Sequence, residues 1–438
     1  MSTGQIMRMA AARIINLESR TVDVEALFKN PFDLCLSRIS YEDARNVELV
    51  EYVLAAAEKV GNRQFELAAE LLRLCDCLSS PAGNPVQRVA HYFSRALREK
   101  IARGTGMFTA GEEKNRQQPG DFQNGAVQAL YEKIPFCQVA HLAVTQVVLE
   151  HVSHAKRIHV IDLRIRNGMQ WIPLMQALAS SKCERHVEIL KITAVGTTAG
   201  PTTRRDIEDT GRRLTSFAKA MNLMFEFKVV MVSVISDVQD DMFDLDPREA
   251  TAVYSEFYLR KLVGTGGPAS DQMDKLMATI RAIGPRVMVV VEAEANHNSS
   301  NYARRFVDAL FHYGALFDCI GECMVESNDS GRVELESRVL AGWIRNIVAA
   351  EGEERKIRSV TMDVWRTLLA RFGLGEAKMS ALVLYQVGWV LGRFSCGRFC
   401  KVDINGKSIV IGWKGTPIVS ISAWKFSRPR KQNGDDRN

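Results

Sequence analysis

Between Arg157 and Glu292 five short apolar, largely β-branched runs alternate with stretches of helical spacing. The runs are Ile158–Leu163, Val187–Val195, Phe225–Val232, Ala252–Phe257 and Arg286–Glu292. Helices are expected over Trp171–Ser180, Thr203–Met221 and Asp271–Ile283, after the first, second and fourth runs. Strands that alternate with helices call for right-handed crossovers and a mainly parallel sheet. The chain closes differently. From Cys400 to Lys425 it reads strand–turn–strand–turn–strand, with Asn405-Gly406 as a two-residue hairpin turn and Gly415-Thr416-Pro417 as the next. The expected fold class is therefore α/β, with a mixed sheet that ends in antiparallel hairpins.

The first part of the chain reads as helical. Val47, Val50, Val53, Leu54, Ala57 and Val60, then Phe65, Ala68, Leu71 and Leu72, recur at helical spacing, and Gly61-Asn62 breaks them into an αα-hairpin. Pro85 opens a further helix to Arg103, and another is expected from Phe136 to His151. Residues 104–125 are polar and read as a mobile insertion. These amphipathic faces are assigned to the chain's own core rather than to a partner.

Composition bounds the function classes. The 438 residues are 46% hydrophobic and 25% charged, which excludes a mostly disordered chain. The net charge, 57 − 51 = +6, permits nucleic-acid contact without arguing for it. No eighteen-residue apolar window exists, so no membrane span is expected, and the first residues lack the layout of a secretory signal. Nine scattered cysteines, an odd number, read as reduced thiols of the cytosol or nucleus.

Asp162 closes the first strand, where doubly wound sheets hold their ligands. The following turn, Asp162-Leu-Arg-Ile-Arg-Asn-Gly168-Met-Gln170-Trp171, has a single glycine and a bulky indole. A nucleotide site needs several glycines there for close backbone approach. Asp162, Gly168 and Gln170 are thus remnant pocket candidates, in a crevice expected to be filled by side chains. Cys319/Cys323 and Cys396/Cys400 have spacing that zinc tolerates, with His297 and His312 as further ligands, but their apolar surroundings favour buried thiols. Glu292, Glu294 and His297 form the one dense polar cluster at a strand end; loop-fastening hydrogen bonds are favoured over acid–base work. Arg204, Arg205, Arg212 and Arg213 are read as a solvated helix face, and Arg428–Lys431 as a short basic run. No serine-nucleophile elbow, phosphate loop or zinc-protease helix is present, and no catalytic residue, cofactor or metal is assigned.

An ordered series of motifs resembles the GRAS family of plant transcriptional regulators. Leu54–Glu58 and Asn84–Phe93 look like its leucine-rich region. His159-Val160-Ile161-Asp162 with Gly168-Met-Gln170-Trp171 is similar to its VHIID motif. Pro285, Glu292, Glu294, Asn296, His297, Phe306, Tyr313 and Arg345 fall in what looks like the PFYRE region, and Trp413 and Trp424 in the closing SAW motif. The second half looks closest to the DELLA-related branch, with a scarecrow-like assignment as the other choice. The forty or so residues before this region lack the DELLA motif, so hormone-triggered degradation by that route is not implied. The sequence departs from the family pattern at Thr145, Arg260, Gly342 and Trp343.

The resemblance implies a Rossmann-like, methyltransferase-like core under an N-terminal helical cap. The boundaries are a variable segment 1–42, a domain 43–426 (cap 43–151, α/β core 152–426) and a flexible tail 427–438. It also implies a nuclear, non-enzymatic regulator, with the cytoplasm as a second location. The implied partners are transcription factors, other nuclear proteins and a second GRAS chain, as homo- or heterodimer. Two other classes compete: a methyl-transferring or ligand-sensing protein with a retained pocket, and a sequence-specific DNA-binding factor.

Overall fold

A computed structural model of the chain describes residues 1–18, 39–107, 131–152, 154–180, 187–198, 200, 202–264, 270–324 and 329–427. The insertion expected over 104–125 and the basic run from Arg428 fall largely outside the described residues.

Five strands, β1 (Arg157–Asp162), β2 (Ile189–Thr197), β3 (Phe225–Val232), β4 (Glu249–Glu256) and β5 (Val287–Ala293), lie parallel in the order β3-β2-β1-β4-β5. β1, β2, β4 and β5 are buried almost throughout and largely apolar, which is why their runs stand out in the sequence, while the edge strand β3 is only partly covered. The sheet continues with β9 (Thr416–Phe426), β8 (Ser408–Trp413) and β7 (Cys400–Asn405), all antiparallel, while β6 (Leu374–Ala377) pairs with β9. Gly406, at φ 65°, makes the β7–β8 turn that Asn405-Gly406 announces. β1 sits between β2 and β4, so the strand order reverses there, and Asp162 ends at that switch point.

The helices are α1 (Thr3–Glu18), α2 (Tyr41–Gly61), α3 (Phe65–Leu78), α4 (Pro85–Gly104), α5 (Pro135–Val152), α6 (Ile172–Ala179), α7 (Arg204–Ala220), α8 (Asp271–Ile283), α9 (Tyr302–Cys323), α10 (Met362–Arg371) and α11 (Ala381–Leu391). Between α9 and α10 a helical stretch runs from Asp329–Glu334 through the π-helical Leu335–Leu340 into Ala341–Val348. The start of α4 shows how local chemistry sets a boundary. Asn84 Oδ1 accepts from Gln87 N–H, Gln87 Oε1 accepts from Asn84 N–H, both at 3.1 Å, and Pro85 follows.

Side chains alternate along β1. Ile158 and Val160 join the larger core, shared with the cap, whereas Ile161 joins the core beneath α8 and α10. The larger core also takes in α1, which lies inside the 1–42 stretch expected to be a variable segment. Ile6, Met7 and Ala10 are buried, and Thr3 donates from N–H and Oγ1 to Asp318 Oδ1 at 3.2 and 2.9 Å. A Cβ on Gly314 of α9 would sit 2.3 Å from Met7 Cε, so the bare glycine makes room for α1. The cap and the helical stretch before α10 are further joined by Glu336, fully buried. Its carboxylate accepts from Arg88 Nε of α4 at 2.9 Å and from Arg332 Nη1 at 3.1 Å.

The filled crevice at the end of the first strand

β1 delivers Asp162 to its carboxyl end with no exposed surface. The chain then turns through Gly168 into a single 3-10 turn, Met169–Trp171, which swings two donors back under the strand. Gln170 Nε2 and Trp171 Nε1 both donate to Asp162 Oδ2, at 2.9 and 2.8 Å, and Arg164 N–H donates to Oδ1 at 3.0 Å. Burial pushes the Asp162 carboxyl up to about 6, against the pull of these three donors. The indole of Trp171 is itself packed edge-on against Tyr254, 5.1 Å between centroids. The Gln170 amide, the Trp171 indole and the Arg164 N–H all serve the carboxylate.

Gly168, a remnant pocket candidate, has a different reason to be glycine. Its φ is 75°, and a Cβ would lie 2.8 Å from Thr210 Cγ2 and 3.0 Å from Leu214 Cδ1. The position is set by the close approach of α7, not by a ligand. His159 is fully buried in the sheet. Its Nε2 lies 2.8 Å from Thr193 Oγ1 and its Nδ1 3.2 Å from the Glu249 carboxylate. Burial, assisted by Lys191 and Lys228, drags its imidazole down to about 3. Val160 and Ile161 are buried on opposite faces.

The strand-end acids near Glu292 fasten loops. Glu292 Oε1 accepts from the backbone N–H of Arg260 at 3.2 Å, and burial lifts its carboxyl to about 7. Glu294 accepts from Met362 N–H at 3.0 and 3.1 Å and so caps α10. His297 is buried, edge-on to His312 and stacked with Tyr313, and its carbonyl accepts from Arg355 Nη1 at 2.7 Å. Asn296 is half-buried, as is Arg345, while Pro285 is buried just before β5. Phe306 and Tyr313 bring α9 against Phe93 of the cap. Trp413 Nε1 donates to Asp318 Oδ2 at 2.7 Å, and Trp424 Nε1 to Ser422 Oγ at 2.9 Å. The motif residues thus form separate buried fastenings along the sheet and do not converge on one reactive centre.

Two of the departures from the family pattern are neighbours. The Arg260 guanidinium lies 5.4 Å from the Trp343 ring centroid and 5.0 Å from that of Phe257. An aromatic ring therefore faces the cation where the family often has a carboxylate. Sequence reasoning missed Glu256, buried at the end of β4. Burial works against its charge, but Arg166 and His141 override it and hold the carboxyl at about 2. A lone acid closing an apolar strand is the same signal that singled out Asp162.

The cysteine pairs meet across the fold. Cys323 Sγ lies 3.8 Å from Cys319 Sγ and 2.7 Å from Cys396 Sγ. Among the described residues no group of three or more histidines, cysteines and acids could hold a metal ion. On α7, Arg204 pairs with Glu208 and Arg212 with Asp209, which neutralises half of this basic face, and Arg213 donates to Thr210 Oγ1.

The model of the GRAS domain family matches residues 49–425. The chain belongs to the GRAS domain family. GRAS relatives include the DELLA protein RGL1 of Arabidopsis thaliana, 31% identical over 386 residues, covering 87% of this chain and 70% of that one. The DELLA protein RGA of the same plant is 30% identical over 383 residues, covering 87% and 62% respectively. The chain thus spans between 62 and 70% of the length of these two relatives. The crystal structure of SCL7 from Oryza sativa superposes with a TM-score of 0.75 at 26% identity, covering 86% of this chain and 99% of that one. The GRAS family is one of plant transcriptional regulators, and the Rossmann-like α/β core under a helical cap that the resemblance implies is the architecture observed.

The buried histidine of this motif carries a pH prediction. The His159 pKa is depressed on folding, so the unfolded chain takes up a proton first. Its contribution to stability is present above about 6.5 and is lost as pH falls toward its folded value of about 3. Between pH 6 and 4.5 the wild type is expected to lose about 1.4 kcal/mol more per pH unit than His159→Gln. Chemical denaturation of both proteins across that window measures the difference, and parallel pH profiles would refute the assignment.

Proposed function

We propose that the protein is a nuclear, non-catalytic regulator that acts by docking amphipathic helices of transcription factors on its helical cap. The observation that carries this reading is an apolar stripe on α3. Leu67 and Leu74 are 50% and 46% exposed, and Leu71 and Leu78, one turn from each, are half-buried. Residues at these spacings form one helix face. Glu66, Glu70, Arg73 and Asp76 flank the stripe with charge. Apolar anchors within a charged rim suit a partner helix presenting its own apolar face. The filled crevice at Asp162 supports the non-catalytic part of the reading, because Gln170, Trp171 and the Arg164 N–H all donate to the Asp162 carboxylate.

Leu67→Asp/Leu74→Asp is expected to weaken association with transcription factors bound by the wild type by about tenfold or more, since central apolar anchors carry most interface energy. Both residues are solvent-facing, so thermal unfolding should move little. Affinity of the purified variant for those factors, alongside its melting curve, tests this. Unchanged affinity would remove α3 as the docking face. A second GRAS chain as the main occupant would show instead as a change in oligomeric state on the same substitution.

A further inference from the structure

Beside the filled crevice the carboxyl ends of β1 to β4 leave a separate cavity of 860 Å³. None of Asp162, Gly168 and Gln170 lines it. Its volume lies within the roughly 300–1,000 Å³ of sites that enclose small organic ligands. Leu163, Ile165, Val195, Ile207, Leu262 and Ile357 supply apolar wall. Three cations, Arg164, Lys261 and Lys356, line the same space against one acid, Asp271. The Arg358 N–H donates to Arg260 O at 3.1 Å, which draws the Lys356 segment against the turn that carries Lys261.

Arg164 is the informative member. Its side chain is half-buried and makes no ion pair among the described residues, and the Glu256 carboxylate acts on it at longer range. Burial, with Arg166 and Arg260 nearby, lowers its guanidinium to about 10. A half-buried cation answered only at longer range, by a carboxylate that Arg166 also draws on, would gain from an anionic ligand. Thr202, beside the amino end of α7, adds a hydroxyl, and the amino ends of α7 and α8 add helix-dipole field of the same preference. A nucleoside fits poorly. β2 ends in Thr197 and Thr198 rather than the acid that would take ribose hydroxyls, and the sulfonium of a methyl donor would meet three like charges.

We propose that this cavity is a binding site for an amphipathic organic anion, with its apolar body on the Leu163–Val195–Ile207 wall and its acidic group between Arg164 and Lys356. The site goes beyond the docking reading and does not depend on it. The common chemistry is a carboxylate, sulfonate or phosphate on a compact apolar frame.

The probe is 8-anilinonaphthalene-1-sulfonate, titrated into the full chain and followed by fluorescence. A saturable single-site rise is expected. Arg164→Met and Lys356→Met should each weaken it about tenfold, the scale of one charge-assisted contact. The uncharged dye N-phenyl-1-naphthylamine should keep its affinity in both variants. Ser233→Trp, at an exposed lining position, should lower the affinity of both dyes. Trp389→Ala, on the exposed apolar stripe of α11, should change neither. Competition by decanoate or by phenyl phosphate distinguishes a carboxylate-bearing from a phosphate-bearing ligand. Lys356 is exposed, so its variant carries the test if Arg164→Met fails to fold. Non-saturable binding, equal affinity in the charge variants, or loss with Trp389→Ala would overturn the site.

Discussion

Glu336→Ala is expected to destabilise the fold by about 3–5 kcal/mol, the range for stranding a buried charge. The carboxylate has no exposed surface and is shared by two arginines, Arg88 at 2.9 Å and Arg332 at 3.1 Å. Burial raises the Glu336 carboxyl and lowers the Arg88 guanidinium, and the charge of each offsets the effect of burial on the other. Removing the acid leaves two cations facing each other in the core. Arg88 also donates to Gly83 O at 2.9 Å and Phe317 O at 3.2 Å, and so holds α4, the loop before it and α9 in register. Glu336→Gln should cost less, because one amide oxygen can still accept from one guanidinium. Replacing Arg88, Arg332 and Glu336 together with methionine, methionine and leucine should cost less than Glu336→Ala alone, since no charge is then stranded. Urea unfolding of the three proteins ranks them. A loss below about 1 kcal/mol for Glu336→Ala would show that the network is solvated.

The parallel half of the sheet was legible because its strands are short apolar runs, four of the five buried almost throughout, that alternate with helical spacing. The helix start at Pro85 and the Asn405-Gly406 turn were legible for a similar reason: each is set within a few residues. What escaped depends on contacts distant in the chain. β6 is four residues long and exists by pairing with β9. α1 carries a helical pattern, but its anchor is Asp318, 315 residues beyond Thr3. The π-helical turn at Leu335–Leu340 has no local signature and places Glu336 under Arg88. The meeting of Cys323 with Cys396 joins residues 73 apart. At the switch point the sequence placed Asp162 and one glycine correctly. It could not say that Gly168 serves helix packing, nor that the unfilled volume lies to one side, against Arg164 and Lys356. The Arg260–Trp343 stack was equally hidden, since each departure looked like the loss of a contact when read alone.

Asp162→Ala is expected to cost about 3 kcal/mol or more and to leave no gain in ligand access. Three buried donors lose their acceptor at once: Gln170 Nε2, Trp171 Nε1 and Arg164 N–H. Each buried, unsatisfied donor costs about 1–3 kcal/mol. Some of this is offset because the carboxylate itself is held in the core against the effect of burial. Asp162→Asn separates the two contributions. Its single carbonyl oxygen can accept from Gln170 and Trp171 together or from Arg164 N–H, and its amide group then faces the remaining donor. Asn should therefore recover part of the loss but not all. Heat and urea unfolding give the cost, and the α3-dependent affinity for transcription factors gives the functional consequence. If the residue organises the core, affinity should fall only as far as the folded population falls. The anion probe should also still bind in the folded Asn variant, because Asp162 does not line that cavity. A stable Asp162→Ala protein with full partner binding would mean that the strand end is not structural. A variant that stays folded but loses binding of S-adenosylmethionine would restore a cofactor role to Asp162 and overturn the non-catalytic reading.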